Sequence, residues 1–367
     1  MKAKTSYSTD RDATRAVAVV ARELNDADAR LVLYFASSVY EPGTLSQQMA
    51  AAFPQATVVG CTTAGEIVTG QMLDHSLVAM ALGSELIKRA EIAVTEGISG
   101  DPRAATKIAL DRLEKQVGGK LVDLDSTRFC GLILADGLSG AEETVMDEIG
   151  NRCNLTFVGG SAGDDLQFKK THIFVRGQAH ADAAALVLIE TAIPFQVVKT
   201  QSFSVLPKTL VATKVNQAKR EVLEFDGRPA AQAYAAALGV PVAELAGQFM
   251  RHPMGLLAEG EPFVRSPQML VGDAVRFYCQ ILEGMELHVL ESTNIVQDTA
   301  AALARLGKPS ALINFHCILR TLELKDKKLC PAYGAVFDKV PTIGFSTYGE
   351  AYIGHINQTS TILVLGS

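Results

Sequence analysis

The sequence predicts a mixed α/β protein of two domains, with helices packed on mixed sheets and one strand–helix–strand–hairpin unit used repeatedly. Three observations predict it. Short apolar runs of strand length alternate with segments of helical period. A glycine-rich phrase ends a strand at residues 60–66 (GCTTAGE) and again at 344–350 (GFSTYGE), with a shortened relative, GGSAGDD, at 159–165. Finally, 367 residues of which 48% are hydrophobic can fill two cores.

In order along the chain, helical period over about 10–24 marks a helical extension, residues 1–29. Residues 29–37 (ARLVLYFAS) read as a buried strand. A helix follows over 41–54, capped by Thr44 or Ser46, with Leu45, Met49 and Phe53 turned inward. The strand at 57–60 delivers the first motif, and 76–82 (SLVAMAL) is a third strand. Residues 101–119 read as an exposed helix. The second copy comprises a strand at 128–136, a helix at 139–153 with Glu142 and Glu143 in its first turn, and a strand at 155–159. After its motif, 171–177 and 181–190 read as a hairpin. Residues 194–227 alternate apolar and polar, as strands passing from one half to the other.

The second half begins with a helix at 228–239 ended by Gly239, then strands at 263–267, 274–281 and 285–293 and a helix near 294–307. The third copy closes the chain with strands at 310–317, 341–344 and 360–366. Its first two strands are expected to be parallel neighbours with their ends together. Gly60, Gly159 and Gly344 are separated by 99 and 185 residues, so duplication at a period of about 93 would place a worn fourth copy at Gly255.

Composition removes several function classes. Thirty-four basic against 40 acidic residues give a net charge of −6, and no basic stretch is interleaved with aromatics, which argues against nucleic acid. Cysteines 61, 130, 153, 279, 317 and 330 contain no CxxC pair, as expected of a reduced, cytoplasmic protein. No signal peptide is recognisable, and no apolar run is long enough for membrane insertion. Nucleotide-binding glycine loops, HExxH and histidine pairs at helical spacing are absent, so neither nucleotide nor zinc is expected.

The motifs themselves offer Thr62, Thr63, Glu66, Ser161, Asp164, Ser346, Thr347 and Glu350 at strand ends, where sheets of this kind place binding groups. The competing role is structural: glycines that turn the chain and carboxylates that cap backbone amides. Cys317, Arg320, Asn357 and Thr359 complete a polar group near the third motif, able to hold a small polar ligand. An Arg320–Glu350 ion pair locking the sheet edge is the alternative. Residues 159–163 match GxSxG, but charged and strand-like sequence follows where a nucleophile elbow needs a helix. A hydrolase through Ser161, or an enzyme using Cys317, therefore stands only as an alternative to a non-enzymatic binding protein.

The segments VVGCTTAGEI, FVGGSAGDDLQF, FVRSP, NFHCILRTLEL and GFSTYGEAYIGHINQT, in this order, resemble the signature segments of FIST proteins. The resemblance covers about 30–365 and implies a FIST N-terminal domain at 30–225 and a C-terminal domain at 226–367. It implies a bacterial sensory protein in signal transduction, acting through a separate partner, a histidine kinase of a two-component system or a cyclic-di-GMP enzyme. Two ligand classes stay open. One is amino acids or related small polar metabolites. The other is haem with nitric oxide, as in the NosP type. Haem would need an axial histidine (His355, His316 or His252) and cations such as Arg320, Arg265 and Arg251 for its propionates. Oligomeric state is not legible.

Overall fold

The computed structural model describes residues 2–25, 28–258, 260–352 and 355–366, without the side chains of His355 and Ile356. The chain forms two compact units. One comprises Met1–Thr200, Thr299–His355 and Ser360–Ser367; the other comprises Gln201–Asp298 and Ile356–Thr359.

The first unit contains three six-stranded sheets, each built around one parallel pair. These pairs are Ala29–Ser37 with Thr57–Thr63, Phe129–Ala135 with Thr156–Ser161, and Ala311–Cys317 with Thr342–Thr347. In each copy the crossover is helical: Pro42–Ala52, Glu142–Arg152, and the consecutive Ile318–Asp326 and Cys330–Ala335. Parallel strands require such a crossover. Leu33, Leu132 and Ile313, one from each sheet, belong to a single buried apolar cluster. The three copies thus share one core.

The hairpins that follow the motifs do not return to their own sheets. Glu66–Val68, after the first motif, pairs with Thr342–Thr347 in the third sheet. Glu350–Tyr352, after the third, pairs with Thr156–Ser161 in the second. Ile173–Val175, after the second, pairs with Thr57–Thr63 in the first. The exchange closes a cycle.

Several expectations are corrected. Residues 171–177 and 181–190 do not pair with each other. Ile173–Val175 instead turns through Arg176 and Gly177, both at positive φ, into Gln178–His180. Such two-residue loops match the twist of a hairpin. Ala183–Thr191 crosses to the second sheet between Phe129–Ala135 and Ile87–Glu96, because a strand apolar on both faces needs a central position. The amino terminus is not an appended helix. Ala3–Ser8 is an edge strand on Leu77–Gly83, and Ala13–Leu24 buries Ala16, Val17, Val20 and Leu24 against the first sheet. The helix at 42–52 is capped by Glu41, whose carboxylate accepts from Gly43 N (3.0 Å) and Thr44 N (2.6 Å). Pro42, preset for the first helical position, moves the start ahead of Thr44. Pro102–Val117 is half-buried, with Ala109, Leu110 and Leu113 in the core of the second sheet.

The second unit is an antiparallel sheet centred on Phe203–Asn216, with Ala230–Leu238 packed on it and ended by Gly239 at φ 70°. Phe225, Tyr234, Phe277 and Leu287 lie in its core. Gly255 sits in Met254–Ala258, hairpinned to Glu261–Arg265 with no helix between. There is no fourth strand–helix–strand copy at that position. A Cβ on Gly255 would meet Leu290 at 2.8 Å, so close packing accounts for this glycine.

Candidate functional site

The strand-end glycines answer to space and not to backbone freedom. Gly60, Gly159 and Gly344 are absent from the positive-φ residues. An ideal Cβ would lie 2.0 Å from Tyr34 O at the first, 1.9 Å from Ile133 O at the second and 2.2 Å from Asn314 O at the third. Each obstructing carbonyl belongs to the residue paired with that glycine on the parallel neighbour. Only glycine permits this approach.

Beyond the glycines, the loops bond to one another around a ring. Ser346 N donates to Gly65 O (2.7 Å) and Ala64 N to Ser346 O (3.3 Å). Gly163 N donates to Thr62 O (2.9 Å) and Asp165 N to Thr63 O (3.0 Å). Ser161 N donates to Gly349 O (2.9 Å), and Thr347 Oγ1 to Ser161 O (2.7 Å). The ring brings together Thr62, Thr63, Glu66, Ser161, Asp164, Ser346, Thr347 and Glu350, all at most 2% exposed. Strand tips therefore converge, but their own side chains fill the centre.

Each filled position has its own bonding. Glu66 accepts from Thr63 Oγ1, Ser76 N (3.0 Å) and Ser76 Oγ (2.6 Å). Burial pushes its carboxyl from 4.5 up to about 8, against the pull of those bonds. Ser346 Oγ lies 2.7 Å from Thr321 Oγ1. Ser161 Oγ donates to Glu142 Oε1 (3.0 Å), and the chain after it enters a turn and a hairpin, with no helix following as an elbow would need. Cys317 ends its strand opposite Thr347, 1% exposed. Buried Arg320 donates from Nη2 to Thr299 Oγ1 (3.1 Å). Buried Asn357 and Thr359 fall in the segment Ile356–Thr359 that groups with the second unit.

A cavity of about 240 Å³ opens on the rim of the ring, lined by Ser38, Thr62, Asp164, Lys169, Lys170 and His172 among others. Its wall, residues 164–170, has an unusual backbone: Asp165, Leu166 and Phe168 adopt φ of 53°, 64° and 53°. Asp164 holds this shape. Its Oδ1 accepts from Phe168 N (2.9 Å) and the Tyr348 hydroxyl (2.6 Å), and its Oδ2 from Lys169 N (2.6 Å) and Lys170 N (2.9 Å). Tyr348 also stacks on Phe168, with ring centroids 4.9 Å apart. Sequence reasoning singled out Thr62 and Asp164 but missed Ser38, Lys169, Lys170 and His172. The available signal was KKTH placed directly after GGSAGDD.

The described histidines proposed for haem each place Nδ1 within hydrogen-bond reach of a protein oxygen. His316 is fully buried, with Nδ1 2.9 Å from the Tyr333 hydroxyl, and burial beside Arg320 holds its pKa well below 6.5. Its Nε2 has no partner but lines neither described cavity. His252 places Nδ1 3.2 Å from Leu290 O. The side chain of His355 lies outside the described residues. Arg265 lies at the end of Glu261–Arg265, with Nη1 3.3 Å from Val264 O, and Arg251 is exposed. A second cavity of about 660 Å³ has Met146, Ile149, Leu155, Phe157, Tyr352 and Arg103 in its lining, and no described histidine. Among the described residues, no group of three or more His, Cys, Asp or Glu side chains could hold a metal ion, and no helix is long and apolar enough to cross a membrane.

Comparison with known proteins agrees with this architecture. The profile of the FIST N domain matches residues 30–228, and that of the FIST C domain matches residues 230–352. An uncharacterised protein of Methanocaldococcus jannaschii is 23% identical over 296 residues, which are 76% of this chain and 57% of that relative. The chain thus spans a little over half the length of this curated relative. FIST domains are associated with sensory signal transduction. With both domain profiles matched in order and together covering most of its length, the chain belongs to the FIST family.

Proposed function

We propose that this chain is a cytoplasmic, non-enzymatic sensory module that binds a small polar ligand in the cavity on the rim of the motif ring. Occupancy passes to a separate signalling partner, a histidine kinase or a cyclic-di-GMP enzyme. The observation that carries this reading is the segment 164–170. Three non-glycine residues in the left-handed region cost about 1–3 kcal/mol each, and such strain concentrates in ligand clamps and switches. The segment presents lysines to the cavity while holding Leu166 (38% exposed) and Phe168 (59% exposed) toward solvent. A ligand that engages the lysines would therefore also bias the apolar surface outside, the differential contact a switch requires. Amino acids and related metabolites have the size for such a cavity.

A melting panel of metabolites tests the reading. A ligand at 100 times its dissociation constant adds about 2.7 kcal/mol. Unchanged melting across the panel would count against a sensor of this kind.

Haem with nitric oxide is a second reading, favoured by the 660 Å³ cavity, whose Met146, Ile149, Leu155 and Phe157 offer apolar contact to a porphyrin and whose Arg103 suits a propionate, although Asp147, Asn151 and Asn154 also line it. Bound haem would supply the reactive iron to which a diatomic gas binds. Of the histidines considered as axial ligands, His355 lies nearest to this lining in the sequence, three residues beyond Tyr352. An intense absorption band near ~400 nm, at stoichiometric haem, would support this reading. Loss of that band in His355→Ala would assign the ligand.

A further inference from the structure

The carboxylate in the lining of the rim cavity is fully used, whereas its cationic donors are not. Asp164 lines it, but both carboxylate oxygens already take two donors each. The neighbouring carboxylates are also committed. Asp165 Oδ2 accepts from Ser38 N (2.8 Å), Ser38 Oγ (2.5 Å) and Ser37 Oγ (2.8 Å), and Glu41 caps its helix. The lining donors remain. Thr62, 1% exposed, accepts the amide of His172 on Oγ1 (2.9 Å), which leaves its hydroxyl hydrogen to give. Lys169 and Lys170 add two ammonium groups, each with three donors and no acceptor. Gln167 already turns its amide Nε2 to Ser38 Oγ (3.4 Å), and neutral imidazole donates through one nitrogen and accepts through the other. Burial and the charge of Lys170 keep His172 below its usual pKa, hence neutral at pH 7.

We infer that this cavity is a site for a compact anion, a carboxylate or phosphoryl group, held by Lys169, Lys170 and the Thr62 hydroxyl. The inference rests on the reading of the rim cavity as the ligand site and names the chemistry of the ligand. Small anions match a cavity of about 240 Å³ whose unspent charged groups are the two lysines. The backbone of both lysines is fixed by Asp164, so the side chains start from a preset position.

The test titrates the whole protein, with histidine side chains isotopically labelled, with sodium phosphate, sodium succinate and, as uncharged and cationic controls, glycerol and ethanolamine. Binding is read by calorimetry and by the His172 ring resonance. Phosphate or succinate should bind and shift that resonance, and the pair distinguishes a phosphoryl from a carboxylate ligand. Lys169→Ala and Lys170→Ala, both at exposed positions, should each weaken binding about tenfold, the value of one charge-assisted hydrogen bond. Thr62→Ser should retain binding, whereas Thr62→Val should weaken it. If glycerol or ethanolamine moves the resonance and the anions do not, the anion assignment falls while the cavity remains the ligand site. Anion binding unaffected by both lysine variants also overturns it. If none of the four probes perturbs His172, the assignment and the reading beneath it fail together.

Discussion

Two buried titratable side chains, Glu66 and His316, give the molecule opposed responses to pH. Glu66 has a carboxyl raised from 4.5 to about 8. Between those values the unfolded chain has lost this proton while the folded chain retains it. Folding therefore weakens as pH rises through the window, by about 1.4 kcal/mol per unit, and the loss is complete above the folded value. Glu66→Gln keeps the shape of the protonated acid and removes the titration. The stability difference, wild type minus variant, measured by urea unfolding at pH 5, 6, 7 and 8, should fall with that slope. A flat difference would mean that Glu66 is ionised inside the ring. His316 acts in the other direction. Its folded pKa lies well below 6.5, so the unfolded chain takes up the proton first, and stability is lost as pH falls through 6.5. Just below pH 6.5 the two slopes therefore oppose each other.

At the scale of elements, the repeated strand-end glycine is a spacing device. Gly159→Ala must push a methyl against Ile133 O, a backbone atom that cannot move without parting the parallel pair. A loss of about 3 kcal/mol is expected, at the upper end of overpacking costs, from urea unfolding. Gly118→Ala, with nothing within 4 Å but φ at 77°, should cost only the smaller price of a left-handed alanine, about 1 kcal/mol. Asp164→Ala addresses the rim segment. It strips four donors of their acceptor, so amide exchange at residues 168–170 should accelerate, and trypsin should cut after Lys169 or Lys170, while the core amides stay protected. The strand–helix–strand copies and their parallel pairs were legible in the sequence because apolar runs, helical period and crossover length are local signals. The exchange of hairpins was not. Glu66–Val68 is three residues long, and its partner is decided by which sheet edge is vacant, a property of the assembled fold. The glycines were legible as a motif, but that each makes room for a carbonyl of its own parallel neighbour was not. Lys169 and Lys170 were passed over because exposed lysine is the ordinary occupant of any loop.

For the first unit as a whole, cyclic exchange makes each sheet a hostage of another copy. The first sheet takes Ile173–Val175 from the second copy, the second takes Glu350–Tyr352 from the third, and the third takes Glu66–Val68 from the first. All three also share one apolar cluster. No sheet can be completed from its own copy, and some buried bonds of the motif residues, such as Thr347 Oγ1 to Ser161 O and His172 N to Thr62 Oγ1, form only once the ring is closed. The sequence showed that copies existed, but not that their tips would meet in a place filled by their own side chains. Filling depends on side chains from three distant stretches of chain reaching each other, and no window of sequence contains all three. Cooperative loss follows from this arrangement. In native-state hydrogen exchange at rising denaturant, amides of Leu33, Leu132 and Ile313, one per sheet, should merge into a single opening with one free energy and one denaturant slope. Ile67→Pro, which removes a donor from the exchanged strand of the third sheet, should lower the opening free energy of all three amides by the same amount. Three separate isotherms, with only Ile313 responding to the proline, would show that the sheets are independent folding units and that the ring only decorates them.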